Sequence, residues 1–439
     1  MGFFGPISSP LLDESSTPFV RRALHRARVV GSFAVVQGVV QMVGFFSGIL
    51  LVRALSSTEY AYFTIANTMQ GTINLLADIG ISVGLISIGG RVWQDRNRFG
   101  QLINTALAVR RKLGGLAIVV VTPIMYFMLV RNGASPGYTA ILIVVILLGL
   151  VVQLSLGVLS VVPRLRSDLT RIQSIDLTGA FTRLLLIGGL LYLFMNAGVA
   201  ALIGTAVLFL QYLMFRHYVA GAVDLAAPEN SDDRREIMRL TKHLAANAVF
   251  YCVQGQITIF LIGFFAHRVS SVAEVGALGR LGMIFIVVSN LLTNVFVPAF
   301  ARCDSRRRLR WLFIAIVGAV TAFSAVIMAA AAWFPNQFLF ILGNRYTHLH
   351  HELLLMVGAA VLNAIAGALW ALNASKAWVA GSWLYIPLTL TTQAALIPFT
   401  DFSSVSGVLT FNLFSLIPSL VLNIFLSVRG FRYFQSVTT

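Results

Sequence analysis

Four polar side chains fall on one side of a long apolar stretch near the start of the sequence. Residues 59–90 are mostly apolar, yet they include Asn67, Gln70, Asn74 and Asp78. Their spacing places all four on one face of a single helix. A carboxylate within a membrane costs about 2.5–3.5 kcal/mol on insertion scales and normally faces a bundle interior or a watery cavity. The pattern therefore predicts membrane helices around a polar path, and it indicates transport rather than soluble chemistry.

Three further apolar stretches carry polar residues at helical spacing. These residues are Gln37 and Gln41 in the first stretch, Asn247, Tyr251 and Gln254 in the seventh, and Arg280, Asn290 and Asn294 in the eighth. The seventh and eighth stretches are the first two of the second half of the chain, and they correspond to the first and second stretches of the first half. Amides in membrane helices also tie helices to one another. Because four corresponding helices share the feature, we predict that these residues line a common cavity or gate it.

A fifth apolar stretch contains Asp176 and Arg183, seven residues apart on one helix face. The helical rise separates them by about 10.5 Å. Arg183 lies deeper in the stretch, and we predict that it binds an anionic group together with Arg280. For Arg280 the alternative is that its guanidinium reaches out to the membrane interface. For Asp176, near the end of its stretch, a structural role is equally open.

The composition is that of a membrane protein. The chain has 439 residues, of which 58% are hydrophobic and 11% charged, with a mean hydropathy of +0.85. A soluble protein would carry about a quarter charged residues. At roughly 20 apolar residues per helix, this length accommodates about a dozen spans with short loops. The sequence therefore predicts an all-α polytopic membrane protein.

We predict twelve transmembrane helices. They are placed at 30–52, 60–88, 113–131, 138–162, 174–195, 197–215, 244–266, 275–300, 311–334, 353–373, 380–399 and 405–427. Of the 32 Lys and Arg residues, 26 then fall on one side of the membrane, 4 on the other and 2 within spans. Positive charge stays in the cytoplasm, so both termini are predicted to be cytoplasmic. The net charge of +16 thus requires no nucleic-acid partner.

The chain divides into two predicted six-helix lobes related by pseudo-symmetry. A cytoplasmic leader at 1–29 precedes an N-terminal lobe at 30–215, and a linker at 216–243 joins it to a C-terminal lobe at 244–427, before a cytoplasmic tail at 428–439. Within the linker, Ser231, Asp232 and Asp233 precede several basic residues. This order predicts a capped helix on the membrane surface. A midpoint linker between equal sets of spans is typical of transporters with internal repeats.

No catalytic or metal-binding motif is evident. The stretch His348, His350, His351 and Glu352 lacks the spacing of a zinc protease and falls at the boundary of a loop and a span. The two cysteines form no metal pair or disulfide framework. We therefore predict no cofactor, no metal and no enzymatic activity.

Two segments near the start of the chain are LVRALSSTEYAYF at 51–63 and LLADIGISVGLI at 75–86. These segments resemble bacterial polysaccharide flippases of the multidrug/oligosaccharidyl-lipid/polysaccharide (MOP) exporter superfamily. The matching residues are Arg53, Glu59, Tyr60, Tyr62, Asp78 and Gly80, whereas Ala61 replaces the usual glycine. Residues 264–284, 297–302 and 338–346 resemble the second half of the family. An aspartate frequent in its seventh helix is absent, and Gln254 or Gln256 takes its place.

The resemblance implies a monomer in the inner (cytoplasmic) membrane whose two lobes rock to open a central cleft to either side. Its cargo would be an undecaprenyl-pyrophosphate-linked oligosaccharide, flipped outward for assembly of a surface polysaccharide. Its partners would be membrane lipids, a polysaccharide polymerase and export machinery.

Other functions stay open at this point. A multidrug or cation antiporter of the same superfamily is the nearest alternative, although it would require acidic residues deep in the cavity. A peptidoglycan-precursor flippase typically has two further helices. A membrane-embedded polysaccharide polymerase usually displays a large loop with catalytic residues, and the loops of this chain are short.

Overall fold

The protein is built from helices. A computed structural model describes residues 18–166, 168–190, 195–266, 268–301, 303, 305–379 and 381–433. These residues are 88% helical and include no strand, so the predicted all-α class is confirmed. The first 17 residues of the predicted leader and the last six of the predicted tail lie outside the described part.

The first half of the chain forms a set of packed helices that we call the N bundle. It consists of α1 Pro18–Ala54, α2 Ser57–Ala77, α3 Ile81–Val92, α4 Arg96–Arg131, α5 Pro136–Leu159, α6 Val161–Leu165, α7 Leu169–Leu190 and α8 Ala197–Ala222. Helix α5 packs along α8, and α1 packs along α7. Side-chain caps begin several helices: the hydroxyl of Ser56 accepts the Glu59 N–H at 3.2 Å, and Asn196 caps α8.

The second half forms the C bundle. Its helices are α9 Ser231–Phe265, α10 Val269–Leu281, α11 Ile284–Leu291, α12 Val297–Ala301, α13 Arg306–Trp333, α14 Pro335–Leu342, α15 His350–Ser375, α16 Tyr385–Leu396, α17 Val405–Ser415 and α18 Ile417–Tyr433. A π-helical turn lies at 292–296, and 3-10 helical turns lie at 344–346, 382–384 and 397–399. Helix α15 is central, because α13, α17 and α18 all pack on it. The bundles meet where α2 contacts α9 and α10.

Nine helices of the described residues are long and apolar enough to cross a membrane, or ten if the bent pair α2–α3 counts as one span. The predicted spans at 174–195 and 380–399 are not among them. In the former, α7 ends at Leu190 and residues 191–194 lie outside the described part, and α16 has only twelve residues before a tight turn. A multi-pass membrane protein is thus supported, while the count of twelve and the cytoplasmic termini stay predictions.

Several predicted boundaries were wrong. The span at 60–88 is two helices that meet at 46° around residues 78–80. The span at 275–300 begins earlier, at Val269, and is interrupted by a turn at 282–283. The predicted surface linker at 216–243 is not a separate helix, because α8 continues to Ala222 and its capped segment is the start of α9. Hydropathy windows detect apolar segments and not the ends of helices, so they miss a helix that continues well beyond the apolar layer.

Large apolar side chains cover much of the outer surface. Phe399, Leu185, Val119 and Trp311 are each at least 70% exposed. Apolar patches on this scale are uncommon on soluble monomers and suit a hydrocarbon environment. The main buried cluster extends from α2, α4 and α5 into α10, α15 and α17. Apolar packing therefore continues across the junction of the two bundles.

Candidate substrate-binding site

A cavity of about 500 Å³ lies within the N bundle, between α1, α2, α5, α7 and α8. It brings together the predicted residues Gln41, Asn67, Gln70 and Arg183. Gln37 lies one turn from Gln41 on α1 but outside this lining. The polar stripes of separate helices thus converge on one space, as predicted for these members.

Asp176 and two further glutamines also line the N-bundle cavity. The side-chain amide of Gln70 donates to Gln153 Oε1 at 3.0 Å, which joins α2 to α5. Gln211 of α8 packs on Gly179 of α7, where an added Cβ would lie 2.3 Å from the glutamine amide nitrogen. Sequence reasoning missed Gln153 and Gln211, although each is an isolated amide in an apolar run.

A second cavity of about 360 Å³ lies between the bundles, among α2, α9, α10 and α15. Arg280 lines it, and its Nε donates to the hydroxyl of Tyr60 at 3.3 Å. The same arginine packs over Gly48 of α1, where an added Cβ would lie 3.2 Å from its Nη1. Asn67 lines both cavities. The N-bundle cavity and this central cavity are therefore neighbours along one polar path.

Arg183 and Arg280 line the two neighbouring cavities of this polar path. Within the described residues, neither guanidinium has a carboxylate at ion-pair distance. Two unpaired cations in an apolar protein carry a large electrostatic and desolvation cost. An anionic ligand bound to both guanidinium groups would offset both costs.

Asn74 and Asp78 do not belong to either cavity. Both contact Arg110, a residue of α4 that is 4% exposed and that the sequence had assigned to a cytoplasmic loop. Its Nη1 lies 3.3 Å from Asp78 Oδ1, and its Nη2 donates to Asn74 Oδ1 at 3.1 Å. Asp78 also accepts the Ser82 hydroxyl at 2.9 and 2.8 Å. The apolar, helix-periodic run 102–109 before Arg110 was the signal that could have placed it inside the protein.

The bend beside Asp78 depends on Gly80. This residue has a φ of +75°, and an added Cβ would lie 2.9 Å from the backbone of Thr241. The Thr241 hydroxyl donates to the Ile79 carbonyl at 2.9 Å. The break between α2 and α3 is thus the point at which α9 of the other bundle packs closely on the chain.

Glu59, one of the motif residues, joins three helices. Its Oε2 accepts the Tyr138 hydroxyl at 2.6 Å and the Ala197 N–H at 2.7 Å. The carboxylate therefore lies at the N-terminus of α8, where the helix dipole stabilises negative charge. This part of the motif is structural in the described protein.

The remaining candidates are scattered. Tyr251 and Gln254 line a cavity of about 460 Å³ inside the C bundle. Asn247 is exposed on α9, outside that lining, and Asn290 lies half-buried on α11. The side chain of Asn294 lies outside the described part. The predicted common cavity is thus divided into three spaces in this conformation.

The histidine-rich stretch contacts other elements individually. The imidazole of His350 lies 2.7 Å from Asn336 Oδ1, and His348 lies 3.8 Å from Glu274. Among the described residues, no group of three or more His, Cys, Asp or Glu side chains could hold a metal ion. In the same loop, burial raises the pKa of the Tyr346 phenol.

The fold matches solved membrane transporters. An inward-facing multidrug resistance MATE family transporter of the MOP superfamily has a TM-score of 0.65 at 14% identity, covering 91% of this chain and 99% of that one. The lipid II flippase MurJ in an inward closed conformation gives 0.64 at 11% identity, covering 90% and 87%. A MOP superfamily transporter from Pyrococcus furiosus gives 0.59 at 14% identity, covering 92% and 94%.

No family profile matches the sequence, and no curated protein does either. At these identities the structural matches establish the fold alone. The chain has the fold of MOP superfamily transporters, and the fold class implied by the sequence resemblance is confirmed.

Proposed function

We propose that the protein flips a lipid-pyrophosphate-linked oligosaccharide across the cytoplasmic membrane by alternating access. The two arginines carry this proposal. Arg183 lines the N-bundle cavity and Arg280 the adjoining central cavity, and neither has a carboxylate at ion-pair distance among the described residues. Pyrophosphate supplies two adjacent anionic groups with oxygens that guanidinium groups bind well.

The rest of the cavity lining suits the sugar portion. Gln41, Asn67 and Gln70 present amide donors and acceptors, which match sugar hydroxyls. The polyprenyl chain would stay in the bilayer while the headgroup passes between the bundles. In this proposal the protein acts as a monomer in the inner membrane and passes its product to a polymerase and export machinery.

Reconstituted vesicles provide the test. We expect protein-dependent flipping of a short-chain lipid-pyrophosphate oligosaccharide, read as protection of the glycan from an external hydrolase. Arg183→Gln and Arg280→Gln should each lower the rate about tenfold or more, because charge-assisted hydrogen bonds contribute about 1.5–3 kcal/mol. Arg131→Gln, at the exposed end of α4, is the matched control. Flipping at the normal rate in both cavity variants would overturn the anion site.

A cation antiporter is the second candidate, and one observation favours it. Asp176 lines the N-bundle cavity, where a carboxylate could bind a coupling cation. The nearby Arg183 opposes that role, because it makes the cavity less attractive to cations. Uptake of a cationic dye that depends on Asp176, with no movement of lipid-linked sugar, would select the antiporter.

A further inference from the structure

We propose that the C-bundle cavity is a binding site for an uncharged sugar segment. The inference rests on the proposed function, since it places a further sugar segment of the same cargo in the C bundle, beyond the sugars that the N-bundle cavity would contact. It starts from the lining of the 460 Å³ cavity between α9, α15, α16 and α18. Its described lining contains no charged side chain, in contrast to the arginine-bearing cavities.

Aromatic rings form one wall of the C-bundle cavity. The rings of Tyr251 and Tyr385 stack at 5.3 Å between centroids with 10° between their planes. Phe250 packs edge-on against Tyr385 at 5.7 Å. Trp370 of α15 also lines the cavity and is 40% exposed. Flat aromatic surfaces held by their neighbours suit the C–H faces of sugar rings, which are apolar and equally flat.

Amide groups form the other part of the lining. Gln254 and Gln393 form two reciprocal hydrogen bonds. Gln254 Nε2 donates to Gln393 Oε1 at 3.0 Å, and Gln393 Nε2 donates to Gln254 Oε1 at 2.8 Å. Each primary amide has two N–H groups and two oxygen lone pairs, so this pairing leaves Gln254 one donor and one acceptor position. The pair also fixes the orientation of Gln254, whose side chain faces the cavity.

A further amide of the C-bundle cavity lining belongs to Asn423. Asn423 is 5% exposed and lines the cavity, and its Oδ1 has no hydrogen-bond partner in the described protein. Its Nδ2 is already engaged with the Ser419 carbonyl at 2.8 Å. An unsatisfied buried oxygen costs about 1–3 kcal/mol, and because this oxygen is enclosed, a sugar hydroxyl would reach it after rotation of the Asn423 side chain toward the cavity.

The chemistry favours a neutral sugar over an organic cation. Aromatic rings also attract cations, but sites for cations gain most from a nearby carboxylate, and the described lining has none. The polar groups present are amides and hydroxyls, which both donate and accept as hydroxyl-rich ligands require. A cavity of this size accommodates one or two sugar rings, within the usual range for small-molecule sites.

Binding of a soluble neutral oligosaccharide, without lipid or phosphate, to the purified full-length protein tests the site. We expect saturable binding that Trp370→Ala weakens about tenfold, as removal of a buried aromatic anchor commonly does. Trp370→Phe should retain most of the affinity because it keeps a flat ring. Trp333→Ala, at the exposed end of α13, is the matched control and should change nothing.

The outcomes separate this site from the proposed function. If lipid-linked sugar is flipped but the free oligosaccharide does not bind, or binds equally to Trp370→Ala, the sugar site is overturned while the flippase stands. If tetraphenylphosphonium displaces the sugar and binds more tightly at Trp370, the site is for cations and this inference fails. If the sugar binds as expected but no lipid-linked sugar is flipped, the flippase fails and the sugar site stands.

Discussion

The guanidinium of Arg110 lies 3.3 Å from the carboxylate of Asp78, and this contact joins α4 to the bend between α2 and α3. The side chain of Arg110 is 5% exposed and that of Asp78 is 31% exposed. The two partners therefore differ in their access to water. Asp78, which the sequence suggested as a gating group in the cavity, acts first as the counter-ion of a buried cation.

This asymmetry predicts unequal effects of the two neutral substitutions. Asp78→Asn leaves the buried Arg110 charge uncompensated, and loss of one partner of a buried pair costs about 3–5 kcal/mol. Arg110→Gln should be milder, because the freed carboxylate retains contact with water and with Ser82. In detergent, we expect the wild type to have the highest melting temperature, Arg110→Gln an intermediate one and Asp78→Asn the lowest. Arg111→Gln, exposed on the same helix as Arg110, is the control. Equal losses for Asp78→Asn and Arg110→Gln would contradict the assignment.

Gly80 is predicted to be intolerant of any side chain. Its positive φ disfavours other residues by about 1 kcal/mol, and the Thr241 backbone leaves no room for a Cβ. Gly80→Ala should therefore lower the melting temperature and loosen the contact between α3 and α9. Gly90→Ala, in the α3 helix that begins just after Gly80, has open space around it and should be neutral or slightly stabilising. A Gly80→Ala protein that is as stable as Gly90→Ala would show that the close approach is absent in the membrane.

Two ion pairs join α9 to the N bundle and should differ in strength. Arg98 binds both carboxylate oxygens of Asp233, which is 3% exposed, at 2.5 and 2.6 Å. Arg91 reaches Glu236 at 3.0 Å, but both side chains are exposed. Bidentate buried pairs are costly to break, whereas exposed pairs contribute about 0–1 kcal/mol.

We therefore expect Arg98→Gln to destabilise the protein markedly, because it leaves the buried Asp233 carboxylate without its cation, and Arg91→Gln to have little effect. Thermal unfolding in detergent, followed by size-exclusion chromatography, measures both. Raising the salt concentration should remove any small effect of Arg91→Gln and leave most of that of Arg98→Gln, because partly buried pairs are screened much less than exposed ones. The reverse dependence on salt would contradict the burial of Asp233.

A reciprocal pair of arginine contacts closes the opposite junction of the bundles. Arg53 donates to the carbonyls of Phe340 and Ile341 at 2.5 and 3.0 Å, and Arg345 donates to the Leu55 carbonyl at 2.6 Å. In each bundle, a guanidinium group thus donates hydrogen bonds to backbone oxygens of the other bundle. An alternating-access transporter would have to release these contacts when this side opens.

The double variant Arg53→Gln/Arg345→Gln should favour the state that is open at this junction. The chain's two cysteines, Cys252 and Cys303, are buried and can be replaced before Leu55→Cys is introduced as a reporter. We expect a membrane-impermeant maleimide to label the reporter faster in the double variant. Arg131→Gln is the control for lost surface charge. Unchanged labelling would show that these contacts do not hold the junction closed.

The sequence by itself determined the membrane class and the existence of polar helix faces. Its mean hydropathy of +0.85 and the periodic placement of Gln41, Asn67, Gln70 and Arg183 were sufficient, because both signals are local. Those four residues do line one cavity.

Only the tertiary structure decided which polar residues meet. Arg110 looked like a loop residue, yet it pairs with Asp78, because α4 begins seventeen residues before the predicted span. The separation of Asn74 and Asp78 from Asn67 depends on how α2 turns against α4. The bend at Gly80 depends on the approach of α9, more than 150 residues away in sequence. Such contacts leave no local periodicity, since they are set by packing between helices that are distant along the chain.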